Sequence, residues 1–188
     1  MSIILPSLSD AQILLNETLS DAQIRRHCEA TRQKALQIAK LVSPKITVDY
    51  ELIELGALLH DIGRARVHDI THGYIGGQIL LQQNYPMSVV LIVERHVLGG
   101  FTAVEAEKLG LPKRDFIPQT CEEKIVCVAD KLRVFEWNEI LPPQEWIAEV
   151  NARFSILTQR FGFSEPYQNS MQRARQFTEE LVAYTQLD

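Results

Sequence analysis

Apolar positions recur at spacings of three and four residues along almost the whole chain, the period of helices buried on one face. Trp146, Val150, Phe154, Leu157 and Phe161 show the pattern, and Phe177, Leu181 and Tyr184 continue it. Ser9-Asp-Ala-Gln12, Ser20-Asp-Ala-Gln23, Thr102-Ala-Val-Glu105 and Thr120-Cys-Glu-Glu123 have the form of capping boxes. In such a box the hydroxyl accepts from the N3 amide and the N3 side chain reaches back. Stops fall at Pro44, Gly63, Gly99-Gly100, Gly110 before Pro112, and Pro142-Pro143. These signals predict helices over 10–16, 21–42, 48–61, 71–84, 87–97, 103–109, 121–137, 143–162 and 166–185. Ser88-Val-Val-Leu-Ile-Val93 and Ile125-Val-Cys-Val128 are β-branched enough for strands. The cap before the second, and the lack of any clear strand partner, favour helix for both.

The expectation is an all-α protein, a single domain over 1–188 with about eight or nine helices. Its core lies in 20–137, and two amphipathic helices within 143–186 pack on it as a C-terminal extension. Packing against the domain is the plainest use of the C-terminal apolar stripe; a homodimer face or a lid over a pocket are the alternatives. A chain of 188 residues buries roughly 70% of its unfolded surface and needs no staples.

Composition narrows the function. Nineteen Lys+Arg against 24 Asp+Glu give a net charge of −5. An acidic chain lacks the electrostatic footprint of a nucleic-acid binder. Cys28, Cys121 and Cys127 are an odd set without a disulfide-scaffold pattern, and read as reduced thiols filling the core. Met1-Ser-Ile-Ile-Leu-Pro6 has neither the basic segment nor the apolar length of a signal peptide. The uncharged run from Ile75 to Val93 contains Gln78, Gln82, Gln83, Asn84 and Pro86, so it is not read as a membrane span. The expected setting is cytoplasmic, with no membrane and no nucleic-acid polymer as partner.

Five histidines, His27, His60, His68, His72 and His96, are the main candidates for chemistry. His60-Asp61 ends the apolar run Leu52-Ile-Glu-Leu-Gly-Ala-Leu-Leu59, so the pair sits at the mouth of the core. His68-Asp69 lies in a polar, loop-like stretch. Asp130 closes Ile125-Val-Cys-Val-Ala129, where a carboxylate costs several kcal/mol unless a partner or a cation neutralises it. Imidazoles and carboxylates together suit divalent iron, manganese, zinc or nickel. One or two ions are the implied cofactors, iron, manganese or similar. A lone helical His is usually structural; the ordered set is what carries the signal.

That set, His…His-Asp…His…His…Asp with Leu58-Leu-His-Asp-Ile-Gly63, resembles the HD-domain superfamily of metal-dependent phosphohydrolases. Small stand-alone HD proteins share stretches like Thr71-His-Gly-Tyr-Ile-Gly-Gly-Gln-Ile-Leu80, Glu94-Arg-His-Val97 and Ala129-Asp-Lys-Leu132. The resemblance covers about residues 20–137 and implies an all-helical fold around a metal centre. It implies that His27, His60, Asp61 and Asp130 hold a first metal and that Asp61 bridges. His72 and His96 resemble the second-metal ligands of the dinuclear branch, which includes bacterial diadenosine tetraphosphate hydrolases. The cyclic-dinucleotide phosphodiesterase branch has Lys where Arg64 stands and a Gly-Tyr-Pro signature, whereas here Gly73-Tyr74 precedes Ile75.

The chemistry explains the residue types. On a suitable metal the pKa of water falls from about 15.7 to about 7, roughly 12 kcal/mol of nucleophile stabilisation. A lone His base contributes only about 10²–10⁴-fold, roughly 3–5 kcal/mol. The function expected is therefore cleavage of a phosphoester or phosphoanhydride bond of a small nucleotide-like substrate by metal-bound hydroxide. Asp61, Arg64 and His68 are the catalytic candidates. Arg64 is expected to offer its planar fork of donors to a phosphate. His68, one turn before His72 if that helix starts early, is a candidate leaving-group acid. Lys131 and Arg133 are expected to be solvated charges. The rivals are a non-catalytic nucleotide- or metal-binding regulatory module and a di-iron oxygenase.

Overall fold

The computed structural model describes residues 5–132, 142–162 and 164–185. Among these the chain is built from helices: α1 (Leu8–Thr18), α2 (Ala22–Val42), α3 (Tyr50–Leu59), α4 (His72–Gln82), α5 (Met87–Arg95), α6 (Ala103–Lys108), α7 (Cys121–Ala129), α8 (Trp146–Phe161) and α9 (Glu165–Thr185). Short 3-10 turns cover Ile62–Ala65 and Pro143–Glu145. The all-α expectation holds. Both β-branched runs are helical, in α5 and α7, where they bury Val89, Val90, Ile92 and Val93, and Ile125, Val126 and Val128. Tertiary packing of an apolar surface outweighs the weak cost of β-branching in a helix.

Some starts differ from the pattern. Ser7, not Ser9, caps α1 by accepting from the Asp10 amide, and Asp21, not Ser20, caps α2 by accepting from the Gln23 and Ile24 amides. A carboxylate one residue on competes well with a serine hydroxyl for an exposed helix start. Asp49 caps α3 and Thr120 caps α7, while Thr102 and Glu105 form the complete box. α3 and α7 end earlier than the apolar pattern suggests, at Leu59 and Ala129. Arg133 and the rest of the expected 121–137 helix lie outside the described residues.

Two apolar clusters share the interior. One joins α1, α3, α4 and α5 through Leu15, Leu58, Leu80 and Val89; the other runs from Ile38 and Ile53 through Phe101, Phe116 and Val126 to Trp146, Phe154 and Leu181. Close backbone approaches set the geometry between them. A Cβ on Gly63 would lie 2.0 Å from the His72 carbonyl oxygen and 2.5 Å from the Gly76 amide nitrogen, so the turn after α3 lies directly on α4. A Cβ on Gly99 would lie 2.1 Å from the Ser170 carbonyl oxygen. Ser170 Oγ donates to the Gly100 carbonyl and accepts from the Gly99 amide, which seats α9 on the loop after α5. No described helix is long and apolar enough to cross a membrane.

Candidate metal centre

The chain folds so that helix ends meet at one point. His60 is the C-cap of α3, His96 the C-cap of α5 and Asp130 the C-cap of α7. His72 opens α4, Asp61 follows His60, and His27 lies in the second turn of α2. Three helix C-termini, each carrying partial negative charge, therefore face the same place, which favours a cation there.

The same helix ends orient the rings. The last carbonyls of a helix lack an intrahelical donor. His60 Nδ1 donates to the Ala57 carbonyl (2.8 Å) and His96 Nδ1 to the Val93 carbonyl (2.7 Å). His72 Nδ1 donates to the Asp69 carbonyl (2.6 Å). A neutral imidazole carries one ring proton, so each of these partners leaves Nε2 as a bare lone pair. Those lone pairs converge. His60 Nε2 lies 3.2 Å from His27 Nε2, and His72 Nε2 lies 3.1 Å from His96 Nε2.

The carboxylates complete two half-sites. Asp61 Oδ2 is 3.7 Å from both His27 Nε2 and His60 Nε2. Asp61 Oδ1 is 3.0 Å from His72 Nε2 and 3.6 Å from His96 Nε2. One carboxylate thus presents one oxygen to each histidine pair. Asp130 Oδ1 joins the first pair, at 2.9 Å from His27 Nε2 and 3.5 Å from His60 Nε2. Two overlapping groups, His27, His60 and Asp130, and His60, Asp61 and His96, hold their donor atoms within 4.8 Å of one another.

Asp61 Oδ1 is buried and has no hydrogen-bond partner. Bare nitrogens facing one another and an orphaned carboxylate oxygen are unfavourable unless a positive charge lies between them. The donor set, imidazole nitrogens with carboxylate oxygens, fits a borderline divalent ion. Without one, protons must serve. Burial pushes the His60 imidazole down, but Asp61 and Asp130 outweigh it and leave it more basic than usual. Burial drives His96 down to about 3. Burial also pushes the Asp61 and Asp130 carboxyls up, yet the surrounding imidazoles, and Lys131 beside Asp130, hold both well below the usual range.

Lys131 corrects the reading of the sequence. It is 3% exposed rather than solvated. Its ammonium donates to the His96 carbonyl (2.6 Å) and to Asp130 Oδ2 (3.1 Å), which leaves Asp130 Oδ1 aimed at His27 and His60. Lys34 of α2, also buried, donates to the Leu132 carbonyl and fixes the chain just beyond Asp130. Burial lowers its ammonium to about 8. Lys34 lies on the buried stripe of α2 with Thr31, Ala35 and Ile38, and Lys131 follows the apolar run 125–129, signals that a reading of charge alone passes over.

Arg64 lies in the 3-10 turn, with Nε 2.7 Å from Asp61 Oδ2. His68 is exposed and lies in the loop before α4, not on an early turn of that helix. Asp69 accepts from the Thr71 amide and hydroxyl, so it closes a turn whose carbonyl then fixes His72. The second His-Asp pair therefore builds the loop. Cys28 and Cys127 are buried, as core residues should be, while Cys121 is half-buried.

A cleft of about 620 Å³ opens over the centre. Arg64, His68 and Lys131 line it, and so do Arg153 and Leu157 of α8 and Tyr167 of α9. Three cationic side chains, Arg64, Lys131 and Arg153, stand against four aspartates, Asp21, Asp61, Asp69 and Asp130. The lining is slightly acidic.

The chain is 44% identical over 117 residues to an uncharacterized protein of Methanocaldococcus jannaschii, covering 62% of this chain and 69% of that one. It is 41% identical over 128 residues to a tRNA (cytidine(56)-2'-O)-methyltransferase of Picrophilus torridus, covering 68% of this chain but 36% of that enzyme. A protein of the same name from Thermoplasma volcanium is 44% identical over 106 residues, 56% of this chain and 30% of its own length. The chain thus spans about a third of the two methyltransferases. Among solved structures it is similar to the HD domain of an L. monocytogenes phosphodiesterase in complex with cyclic-di-AMP. That match has TM-score 0.49 and 18% identity, and covers 91% and 94% of the two chains. A predicted HD superfamily hydrolase from an uncultured Thermotogales bacterium gives TM-score 0.43 and 19% identity, covering 95% and 91%. The family model for the HD domain matches residues 24–134, and the chain belongs to the HD-domain family.

Proposed function

We propose that the protein is a metal-dependent phosphohydrolase that cleaves a phosphoester or phosphoanhydride bond of a small nucleotide-like substrate. The observation that carries this reading is the division of Asp61, one oxygen toward His27 and His60 and the other toward His72 and His96, with histidine nitrogens bare on both sides. His27, His60, Asp61 and Asp130 would hold one divalent ion, and Asp61, His72 and His96 a second. Bound there, such ions supply an acidified water as nucleophile and positive charge for phosphate oxygens.

The chain's own residues then have distinct tasks. The carbonyls of Ala57, Asp69 and Val93 keep three rings in one tautomer. Lys131 holds one oxygen of Asp130 so that the other is free to bind. Arg64 anchors Asp61 through Nε and leaves its terminal nitrogens for a phosphate oxygen. His68 stands at the cleft, where it is within the lining to protonate a departing oxygen. The C-terminal helices are read as part of the same unit as the core, a reading supported by Arg153, Leu157 and Tyr167 in the cleft lining.

The experiment is to strip the purified protein, reload it with manganese or iron(II), and follow phosphate release across phosphomonoesters, nucleotides and dinucleoside polyphosphates. Turnover that needs the ion is expected. Protein that binds no ion and cleaves nothing overturns the proposal. The regulatory reading would be supported instead by tight nucleotide binding without turnover. The methyl transfer in the names of the two longer relatives is a property of those whole proteins.

A further inference from the structure

Arg153 lies on α8, outside the residues 24–134 that match the family, yet it lines the same cleft as His27, Asp61 and Asp130. Helical spacing explains how it gets there. Trp146, Val150 and Phe154 recur every four residues and are buried, so they anchor α8 to the core. Arg153 is about 100° around the helix from Phe154, and Leu157 follows it by one turn on its own side. The anchored stripe faces inward and the Arg153–Leu157 stripe faces the cleft.

Arg153 is the cationic side chain that α8 brings to the cleft. It is exposed, and no described acid forms an ion pair with it. The buried ammonium of Lys34 feels its charge together with those of Asp130, Lys131 and Glu149. An exposed guanidinium without an ion-pair partner among the described acids can exchange its water for an anion, and phosphate is the anion its donor fork fits. In the same cleft, Leu157, Ile24, Ile70 and Tyr167 supply apolar and aromatic surface. The cleft, at about 620 Å³, is within the roughly 300–1,000 Å³ typical of small-molecule sites.

We propose that Arg153 is a specificity residue that binds a second anionic group, so that the substrate is a nucleotide bearing at least two phosphates. One phosphate lies at the histidine–aspartate centre, another meets Arg153, and the base lies against Leu157 and Tyr167. The inference rests on the phosphohydrolase reading above and names the substrate class for that site.

The test is equilibrium binding, by calorimetry, of inorganic phosphate and of α,β-methylene adenosine diphosphate, with and without manganese. The full chain is compared with Arg153→Gln and Arg153→Lys. The wild type should bind the diphosphate analogue at least about tenfold more tightly than phosphate. Arg153→Gln should lose about tenfold on the analogue and less than about twofold on phosphate, and Arg153→Lys should recover part of the loss. Equal loss on both probes, no loss on either, or no binding of the analogue by the wild type overturns the proposal. Phosphate release measured in parallel separates the two ideas. Hydrolysis of monoesters unaffected by Arg153→Gln, with unchanged analogue binding, sinks the role of Arg153 and leaves the hydrolase standing. Arg153-dependent binding with no turnover does the reverse.

Discussion

The two halves of the centre share Asp61 but are built differently. The half around His27, His60 and Asp130 is partly open: the side chain of His27 is 33% exposed and that of Asp130 18%. It holds two carboxylates, and Arg64 and Lys131 each grip one of them. The half around His72 and His96 is closed, with those residues 4% and 1% exposed, and has only one Asp61 oxygen to offset a cation. The number of carboxylate donors therefore favours the open half as the tighter ion site, and burial favours the closed half as the more exact frame. The comparison teaches that a nominally symmetric pair of half-sites is graded, with the open half more exposed at the cleft and the closed half more deeply buried.

Replacing the shared ligand gives the largest effect. Asp61→Asn should empty both halves and lower turnover by about a thousandfold or more, since metal activation supplies several kcal/mol. Elemental analysis beside a phosphate-release assay checks it, and retention of two ions would refute the sharing. His96→Ala should lose one ion and keep the other; two ions retained would show that the closed half is not a site. Lys131→Met should weaken metal binding at the open half by about 10–100-fold by freeing Asp130 to rotate. Chelator titration reads that directly, and a loss confined to the closed half would reverse the grading proposed here.

The smallest effect is a pH dependence in metal-stripped protein. His96, pushed down to about 3 by burial, stays neutral in the folded state while the unfolded chain takes up a proton below about 6.5. Stability should fall as pH drops from about 6.5 toward 3, by roughly 2 kcal/mol at pH 5 from this group. His60 is shifted the opposite way, so its contribution is complete below about 6.5 and is lost as pH rises through its raised value. Asp61 and Asp130 contribute above about 3.8 and lose their share below it. Thermal melts of stripped protein should therefore peak near neutrality. In His96→Leu the acid-side slope between pH 6.5 and 5 should shrink, and an unchanged slope would assign it elsewhere.

Much of this was legible in the chain. The apolar period and the caps gave nine helices among the described residues, and the order His27, His60-Asp61, His72, His96, Asp130 named the residues that converge. Three things were not legible. Capping moved from Ser9 and Ser20 to Ser7 and Asp21, because neighbouring acceptors compete within a fraction of a kcal/mol. His68 fell off the helix because Asp69 closes a turn with Thr71. Lys131 looked like a surface charge, although its carbonyl and carboxylate partners come from residues 35 positions away and one position away.

By itself the sequence determined the helices and the identity of the residues that converge, because periodicity, caps and side-chain chemistry are local properties. Only the tertiary structure decided which lone pairs face one another, how Asp61 divides its oxygens and which residues from α8 and α9 wall the cleft. Those facts depend on how closely helices approach, at Gly63 and Gly99 above all, and on which helix ends meet. Such distances are fixed by packing between segments far apart in the chain, and no single segment carries them.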